Sequence, residues 1–302
     1  MRSTTLLIGC IFALVKTQGQ NLVLNPSFEE KNGCPYAGNW SLGSIDSAKF
    51  WTQPHRSSDY FYPCGWNTTH STPQNAMGNQ QPRSGIAYAG IYGYEYGDNK
   101  PPDGREYIEG QLSTSLLKDS VYKVEFFVSL AEKVSDGASD MIGAYLSKEL
   151  IKSDVIPPAV PGVLPFQPQV SSLKGYVLAD TINWMRICGY FNAEGGESFI
   201  TIGNYLPNSE ITYLHIKSQY GPQSYYYIDD VSVEKSPINP YQWVEDKTVC
   251  AADSTIHYSV PTLLSDVQWS TGDTAHTVSV QGPGPTGCGR HWTGATSPTP
   301  SK

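Results

Sequence analysis

The near absence of helix-length amphipathic segments is the feature that most constrains this chain. From Asn21 to about Lys235, short apolar-alternating runs are separated by clusters of Gly, Pro, Asn and Ser. Val121–Leu130 (VYKVEFFVSL) places apolar side chains at alternate positions, as a strand with one buried face does. Many short strands without intervening helices predict an all-β fold, a sandwich or jelly roll.

Other segments carry a similar strand signal, namely Ile187–Phe191, Ser198–Ile202 and Tyr225–Val233. Asp140–Ile151 is compatible with the start of a short helix. However, Gly143 and the β-prone residues after it favour another strand. Pro157–Pro168 is rich in proline and predicts a long surface loop.

The N-terminus has the pattern of an export signal. Arg2 precedes an apolar run over Leu6–Val15, and small residues follow around Gly19. The run is too short to cross a bilayer, so the mature chain is expected to have no membrane-spanning segment. A buried N-terminal strand is the alternative. The signal predicts an exported protein that is periplasmic, on the outer-membrane surface or secreted.

Composition and cysteine placement exclude several classes of protein. With 12% aromatic and 16% charged residues, the chain is not of the disordered type. A net charge of −8 without a basic stripe excludes a nucleic-acid partner. Cys34 and Cys64 both lie in loop-rich sequence, and in an exported chain we expect them to form a disulfide. The sequence has no CxxC and no His/Cys cluster, so it gives no indication of a zinc site.

Several motifs in order resemble a known family. Asn21–Glu29 (NLVLNPSFE) and Tyr226–Val233 (YYIDDVSV) resemble the opening and closing strands of galactose-binding-like, carbohydrate-binding-module jelly rolls. The motifs between them are Ser58–Phe61, Ser84–Ile91, Arg105–Ile108 and Phe199–Asn204. Together they are similar to the N-terminal module of exported surface proteins of Bacteroidetes-type bacteria, which are associated with gliding motility and type IX secretion.

A second, smaller sandwich is expected after the first. Val267–Asp273 (VQWSTGD) resembles the immunoglobulin-like repeats that follow such modules, and only about half of a repeat is present. The predicted organisation is a signal peptide (1–19), a jelly roll (20–235), a linker (236–247), a partial immunoglobulin-like repeat (248–280) and an irregular tail (281–302).

The tail departs from the family pattern, and we hypothesise that its reading frame is shifted. Read from the third base of the Pro285 codon, the possible codons of Pro285–Thr296 permit YWVRATLDGCD, which is how an intact repeat would look. One lost nucleotide near Pro285 would produce this tail. In that case Cys288 is not a native partner of Cys250, and any anchoring domain is missing. The coding DNA tests this hypothesis.

The resemblance implies a structural Ca²⁺ between the opening and closing strands. Glu29 and Asp229 match its carboxylate positions, and the Ser27 carbonyl is a further candidate ligand. Independently of the family, one of the adjacent acids Asp229 and Asp230 should face inward, where an unpaired carboxylate is unfavourable. A cation or an arginine would compensate it. The alternative is that Asp229 caps a turn or pairs with a lysine.

Aromatic residues in loop or edge sequence are candidates for a glycan-binding face, since sugar rings stack on exposed aromatics while polar groups bind the hydroxyls. The candidate residues are Trp51, Tyr60, Tyr88, Tyr94, Arg105 and Glu106. Because aromatic residues in sheets mostly pack, core packing is the competing interpretation. Arg105 and Glu106 could equally form a structural ion pair.

The motifs give no support to catalysis. The sequence has no HExxH, GxSxG or phosphate-binding loop. A glycosidase pair such as Glu106 and Glu197 is compatible with the sequence, but we interpret both as solvated surface acids. The leading hypothesis is therefore a non-catalytic adhesion module whose partner is a glycan or cell-surface component. A structural spacer of a cell-envelope protein is the alternative, followed by a carbohydrate-active enzyme.

Overall fold

The computed structural model describes residues 19–35, 43–54, 57–96, 103–151 and 162–236, together with the backbone of short strands between 246 and 296. Apart from Gly19, the predicted signal peptide lies outside these residues. In chain order the strands up to 236 are β1 (Trp51–Thr52), β2 (Asp59–Phe61), β3 (Tyr88–Glu95), β4 (Ile108–Gln111), β5 (Val121–Leu130), β6 (Gly137–Ser139), β7 (Ile142–Ser147), β8 (Val170–Ser171), β9 (Met185–Asn192), β10 (Phe199–Asn204), β11 (Tyr213–His215) and β12 (Gln223–Lys235). Short 3₁₀ turns lie at Ile45–Ser47, Trp66–Thr68 and Asn208–Glu210.

Two five-stranded antiparallel sheets form the layers of the molecule. The first sheet has the order β1-β4-β10-β7-β8, and the second sheet has the order β2-β3-β12-β5-β9. Strand β11 pairs with β6 beside them. The predicted class, an all-β jelly-roll sandwich, is confirmed, and the predicted strands at 121–130, 187–191, 198–202 and 225–233 all coincide with observed ones.

The main core lies between the sheets and follows the two-residue alternation of the strands. In β5, Tyr122, Val124 and Phe126 belong to this core, whereas Lys123 and Glu125 face outward and form an ion pair at 2.9 Å. Each large apolar side chain buried in this way contributes about 1.5–3 kcal/mol to folding. The same rule applies to β7, where Ala144 and Leu146 are in the core and Tyr145 is not.

A second apolar cluster covers the outer face of the second sheet. Its rings include Phe61, Tyr88, Tyr225 and Tyr227. The loop before β3 closes over them. In that loop the Asn75 side chain donates a hydrogen bond to the Tyr88 hydroxyl at 2.9 Å and accepts one from the Tyr227 hydroxyl at 2.9 Å. Tyrosines on both faces of this sheet are therefore buried.

The opening segment of the chain lies beside the closing strand, as the resemblance implied. Leu22 N–H donates to the Val233 carbonyl at 2.9 Å, and Val231 N–H donates to the Pro26 carbonyl at 2.9 Å. The Asn21 side chain adds bonds to the backbone of residues 231 and 233. These contacts bring the N-terminal turn and the end of β12 to one side of the sandwich.

The chain beyond 236 contributes three antiparallel strand pairs among the residues that the structure describes. They are β13 (Asp246–Val249) with β17 (Gly289–Trp292), β14 (Thr255–Ser259) with β16 (Thr277–Gln281), and β15 (Gln268–Trp269) with β18 (Ala295–Thr296). Strands β17 and β18 fall in the segment predicted to be an irregular tail, and β13 begins inside the predicted linker. The immunoglobulin-like identity of this part and the shifted frame stay predictions.

Candidate functional site

The outer face of the first sheet carries a row of side chains that crosses three strands. Thr201 in β10 lies opposite Glu109 in β4 and opposite Tyr145 in β7. Because the neighbours Ile200 and Ile202 face the core, strand alternation directs Thr201 to the outer face. The row therefore places a carboxyl, a hydroxyl and a phenol side by side outside the sandwich core.

Two pieces of chain pack over part of this face. Ile151 and Leu164 form a small apolar cluster with Tyr107 and Tyr205. The Leu164 N–H donates to the Tyr107 hydroxyl at 3.0 Å, and that hydroxyl donates to a backbone carbonyl of β10 at 2.6 Å. The backbone on either side of residues 152–161 is thus fixed to the sheet.

Glu109 is the most perturbed acid of this face. It is 1% exposed, and its carboxylate accepts the Ile151 N–H at 3.0 Å and the Thr201 hydroxyl at 3.3 Å. Burial raises the pKa of Glu109 from 4.5 to about 7, although these two hydrogen bonds favour the charged form. Glu109 thus ties Ile151 to the sheet.

Beside the covered part lies an open groove of about 790 Å³. It is lined by residues 145–151, by Phe166, Gln167 and Gln169, and by Glu194 and Glu197. The rings of Tyr145 and Phe166 are stacked in parallel, with centroids 4.6 Å apart and an angle of 8° between their planes. The volume lies in the range of small-molecule sites in proteins.

Two polar side chains of the groove are held in place by backbone groups. Gln169 pairs with both backbone groups of Leu146, at 2.8 Å to the N–H and 3.2 Å to the carbonyl. Glu197 accepts the N–H groups of Glu194 and Gly195 at 2.7 and 2.9 Å. These hydrogen bonds fix the shape of the groove wall.

Exposed polar side chains surround the stacked rings, namely Lys148, Glu149, Gln167 and Glu194. Burial, assisted by the negative charge of Glu194, raises the pKa of the Tyr145 phenol, which therefore stays protonated and able to donate a hydrogen bond. The groove thus offers an aromatic surface together with donors and acceptors.

Trp51, Tyr60 and Tyr88, three of the aromatic residues expected to form a glycan-binding face, are buried, so the prediction is wrong for these three. Trp51 packs on Phe28 at 4.6 Å in the main core, and its Nε1 donates to the Asn25 carbonyl. Tyr60 is fully buried and donates its hydroxyl to the Phe28 carbonyl at 2.7 Å. Tyr88 belongs to the outer cluster of the second sheet. As the competing interpretation held, these rings pack.

Arg105 is also buried, contrary to the expectation of an exposed binding group. Its guanidinium donates to the carbonyls of Gly104 and Leu206 and to Asn208 Oδ1, at 2.7–2.9 Å. Burial lowers the pKa of Arg105 to about 10. Its hydrogen bonds connect the start of β4 to the loop after β10, which is a structural role.

Glu106, another expected binding group, is buried, and Tyr94 is half-buried. Glu106 is 1% exposed and accepts the Ser57 hydroxyl at 2.7 Å and the Tyr92 N–H at 3.0 Å. Tyr94 is half-buried and stacks on Tyr213 at 4.4 Å. Glu197 is 4% exposed, so the interpretation of Glu106 and Glu197 as solvated acids is wrong as well.

Of the residues that line the groove, the sequence analysis singled out Glu197 but neither Tyr145 nor Phe166 as a binding residue. Tyr145 was placed in a predicted strand, and Phe166 in a predicted surface loop. The alternation in Ile142–Ser147 indicates that Tyr145 faces away from the main core. Nothing in the sequence pattern indicates that Phe166 returns to stack on it.

Glu29 and Asp229, the predicted calcium ligands, bind the same short loop before β3. Glu29 Oε1 accepts the N–H groups of Ile86 and Ala87 at 2.9 and 3.1 Å. Asp229 Oδ2 accepts the N–H of Arg83 at 2.8 Å. The two carboxylates thus bind one loop from opposite ends of the domain sequence.

The donor set supplies only part of a calcium shell. Calcium takes six to eight oxygen ligands, and the structure offers these two carboxylates and the Ser27 carbonyl in the neighbouring turn. In the part of the chain that the structure describes, no group of three or more His, Cys, Asp or Glu residues is arranged to hold a metal ion. The Arg83 guanidinium pairs with Asp230, and burial and Asp230 raise the pKa of Asp229 to about 8. Calcium binding stays a prediction.

Cys34 and Cys64 form a disulfide, the pairing expected from the sequence, with Cα atoms 5.6 Å apart. Cys188 in β9 is buried. Within the described ranges, no helix has the length and apolar character needed to cross a membrane.

No family model and no curated protein matches this chain. Similar solved structures include the CBM22-1 xylan-binding domain of Paenibacillus barcinonensis Xyn10C (TM-score 0.36, 11% identity, covering 74% of this chain and 98% of that one). The K1 cleaved adhesin domain of Lys-gingipain from Porphyromonas gingivalis has a TM-score of 0.33 at 10% identity, covering 72% and 99%. The N-terminal cellulose-binding domain of Cellulomonas fimi β-1,4-glucanase C has a TM-score of 0.26 at 9% identity, covering 54% and 86%. With TM-scores below 0.5, these similarities carry no argument about the ligand of this chain.

Proposed function

We propose that this chain is an exported, non-catalytic module that binds a glycan in the groove on the outer face of the first sheet. The observation that supports it is the parallel pair of rings, Tyr145 and Phe166, in an open groove bordered by polar side chains. A pyranose ring presents an apolar C–H face that packs on aromatic rings, and its hydroxyls need donors and acceptors around it. The groove provides both.

The charges of the groove favour a neutral sugar over an acidic one. Glu149 and Glu194 are exposed in it, while Lys148 is the exposed cation of its described lining. A uronate or sulfated sugar would meet carboxylates of the same sign, and like charges placed together are unfavourable. We therefore expect neutral hexose or pentose polymers to bind best.

The proposed location is the cell surface or the extracellular space. The Cys34–Cys64 disulfide supports it because disulfides form and persist in oxidising compartments. The predicted signal peptide is consistent with this location. We propose that the groove binds a glycan or another surface component outside the inner membrane.

Binding to a panel of soluble neutral polysaccharides, measured by affinity electrophoresis and calorimetry, tests the proposal. Phe166→Ala removes one ring of the stack and should weaken binding about tenfold, because an aromatic contact contributes about 1 kcal/mol beyond its buried area. Tyr176→Ala is the matched control, since Tyr176 is 38% exposed and does not line the groove.

Three outcomes would count against the proposal. Retention of no glycan by the wild-type protein favours the spacer alternative. Equal effects of Phe166→Ala and Tyr176→Ala place any binding elsewhere. Hydrolysis of an oligosaccharide during the titration contradicts the non-catalytic assignment.

A further inference from the structure

A smaller pocket of about 240 Å³ lies next to the groove and shares a wall with it. It is lined by Met141, Phe166, Pro168, Ser171, Tyr205 and Leu206. Phe166 and Gln167 line both cavities, so the Phe166 ring stands at their common border. The two cavities therefore adjoin at these two residues.

The pocket has the surface chemistry of an aromatic-binding site. Phe166 and Tyr205 contribute rings, and Met141 contributes a thioether, which packs favourably against aromatic edges. An apolar cavity of about 150 Å³ is large enough to hold benzene, so about 240 Å³ accommodates one aromatic ring and its linkage. A bare sugar would lose hydrogen bonds to its hydroxyls here, which is unfavourable.

The walls of the pocket are held in place before any ligand binds. The Tyr205 hydroxyl donates to the Thr201 carbonyl at 2.8 Å. The Leu206 carbonyl accepts from the buried Arg105 guanidinium at 2.9 Å. Met141 has a φ of +63°, a left-handed conformation that is unfavourable for a residue with a side chain unless its surroundings stabilise it.

We propose that this pocket binds an aromatic substituent, an aryl ester or aryl ether, carried by the glycan that occupies the groove. The inference rests on the proposed function, because the groove must hold the sugar to which the ring is attached. It defines the ligand class as aryl-substituted neutral glycans rather than unsubstituted ones.

Matched pairs of simple glycosides test this inference. Methyl and phenyl β-D-glycosides of glucose, xylose and galactose are titrated calorimetrically into the full chain. For the sugar that binds, the phenyl glycoside should bind about tenfold more tightly than the methyl glycoside, since a buried aromatic ring adds apolar contact. Leu206→Ala should reduce the phenyl affinity severalfold and leave the methyl affinity unchanged.

Two further variants distinguish a specific change in the pocket from a general loss of structure. Ser171→Leu narrows the pocket from its polar edge and should abolish the preference for phenyl while the methyl glycoside still binds. Leu173→Ala is the control, since Leu173 is 49% exposed and lines neither cavity. Melting temperatures of all variants establish that they are folded.

Equal affinities for phenyl and methyl glycosides, or an equal loss of both in Leu206→Ala, would refute the pocket inference and leave the groove proposal intact. If neither glycoside of any sugar binds and the polysaccharides are not retained either, the proposed function and this inference fail together.

Discussion

Replacing Glu109 by glutamine should make this protein more stable at neutral and alkaline pH. Glu109 is buried under Ile151 on the outer face of the first sheet, and its charged form has lost its water. A glutamine side chain has nearly the same shape. Its carbonyl oxygen, placed as Glu109 Oε1 is, can accept both the Ile151 N–H and the Thr201 hydroxyl. The substitution thus removes the buried charge and retains the contacts.

The magnitude follows from the pKa of Glu109. A rise from 4.5 to about 7 corresponds, at about 1.4 kcal/mol per pKa unit, to about 3 kcal/mol. Between these pH values the folded protein holds a proton that the unfolded chain has released. The free energy of unfolding therefore falls as pH rises from about 4.5 to 7. This contribution is fully present below pH 4.5 and lost above pH 7.

Thermal unfolding of the wild type and Glu109→Gln at pH 4 and pH 8 measures the effect. At pH 4 the two proteins should melt at similar temperatures, and at pH 8 the variant should melt about 6–12 °C higher. Asp229, with a pKa raised to about 8, makes the stability of both proteins depend on pH in the same direction. Its contribution therefore cancels when the two melting temperatures are compared at one pH. The control variant Glu149→Gln, at an exposed groove position, should melt at the same temperature as the wild type at both pH values. A Glu109→Gln difference that is the same at both pH values would refute the reasoning.

Three further predictions concern the core, the disulfide and the metal. Trp51→Ala should lower the free energy of unfolding in urea by about 3–5 kcal/mol, because Trp51 is a core residue, whereas the folded variant should keep its glycan affinity. Reducing Cys34–Cys64, 30 residues apart, should lower it by about 3–4 kcal/mol, and no change on reduction would contradict a stabilising bond. Calcium at 100 times its dissociation constant should raise the free energy of unfolding of chelator-treated protein by about 2.7 kcal/mol. Glu29→Gln should remove that gain and Glu30→Gln should not; an unchanged melting temperature on calcium addition would exclude the site.

The fold class could be predicted from the sequence because it depends on local regularities. The alternation in Val121–Leu130 determines which side chains of β5 share a face, and one face must then be buried. The loop-rich sequence around Cys34 and Cys64 indicated their pairing. The similarity of Asn21–Glu29 and Tyr226–Val233 to opening and closing strands indicated their adjacency, which the backbone hydrogen bonds between these segments show.

The binding surface could not be predicted in the same way. Alternation assigns Tyr88 to one face of β3 and Tyr145 to the outer face of β7, but it does not indicate what covers those faces. In the folded chain a loop closes over Tyr88 through Asn75, whereas Tyr145 remains at an open groove and stacks on Phe166. Both outcomes depend on contacts between residues distant in sequence.

The sequence by itself therefore determined that the chain forms two β layers, and which residues of each strand lie together. Only the tertiary structure decided which aromatic residues are core and which line a cavity, because burial of an outer face depends on the path of a loop. Such burial involves long-range hydrogen bonds, for example those of Ile151 with Glu109 and of Leu164 with Tyr107, which leave no periodic signal in the sequence.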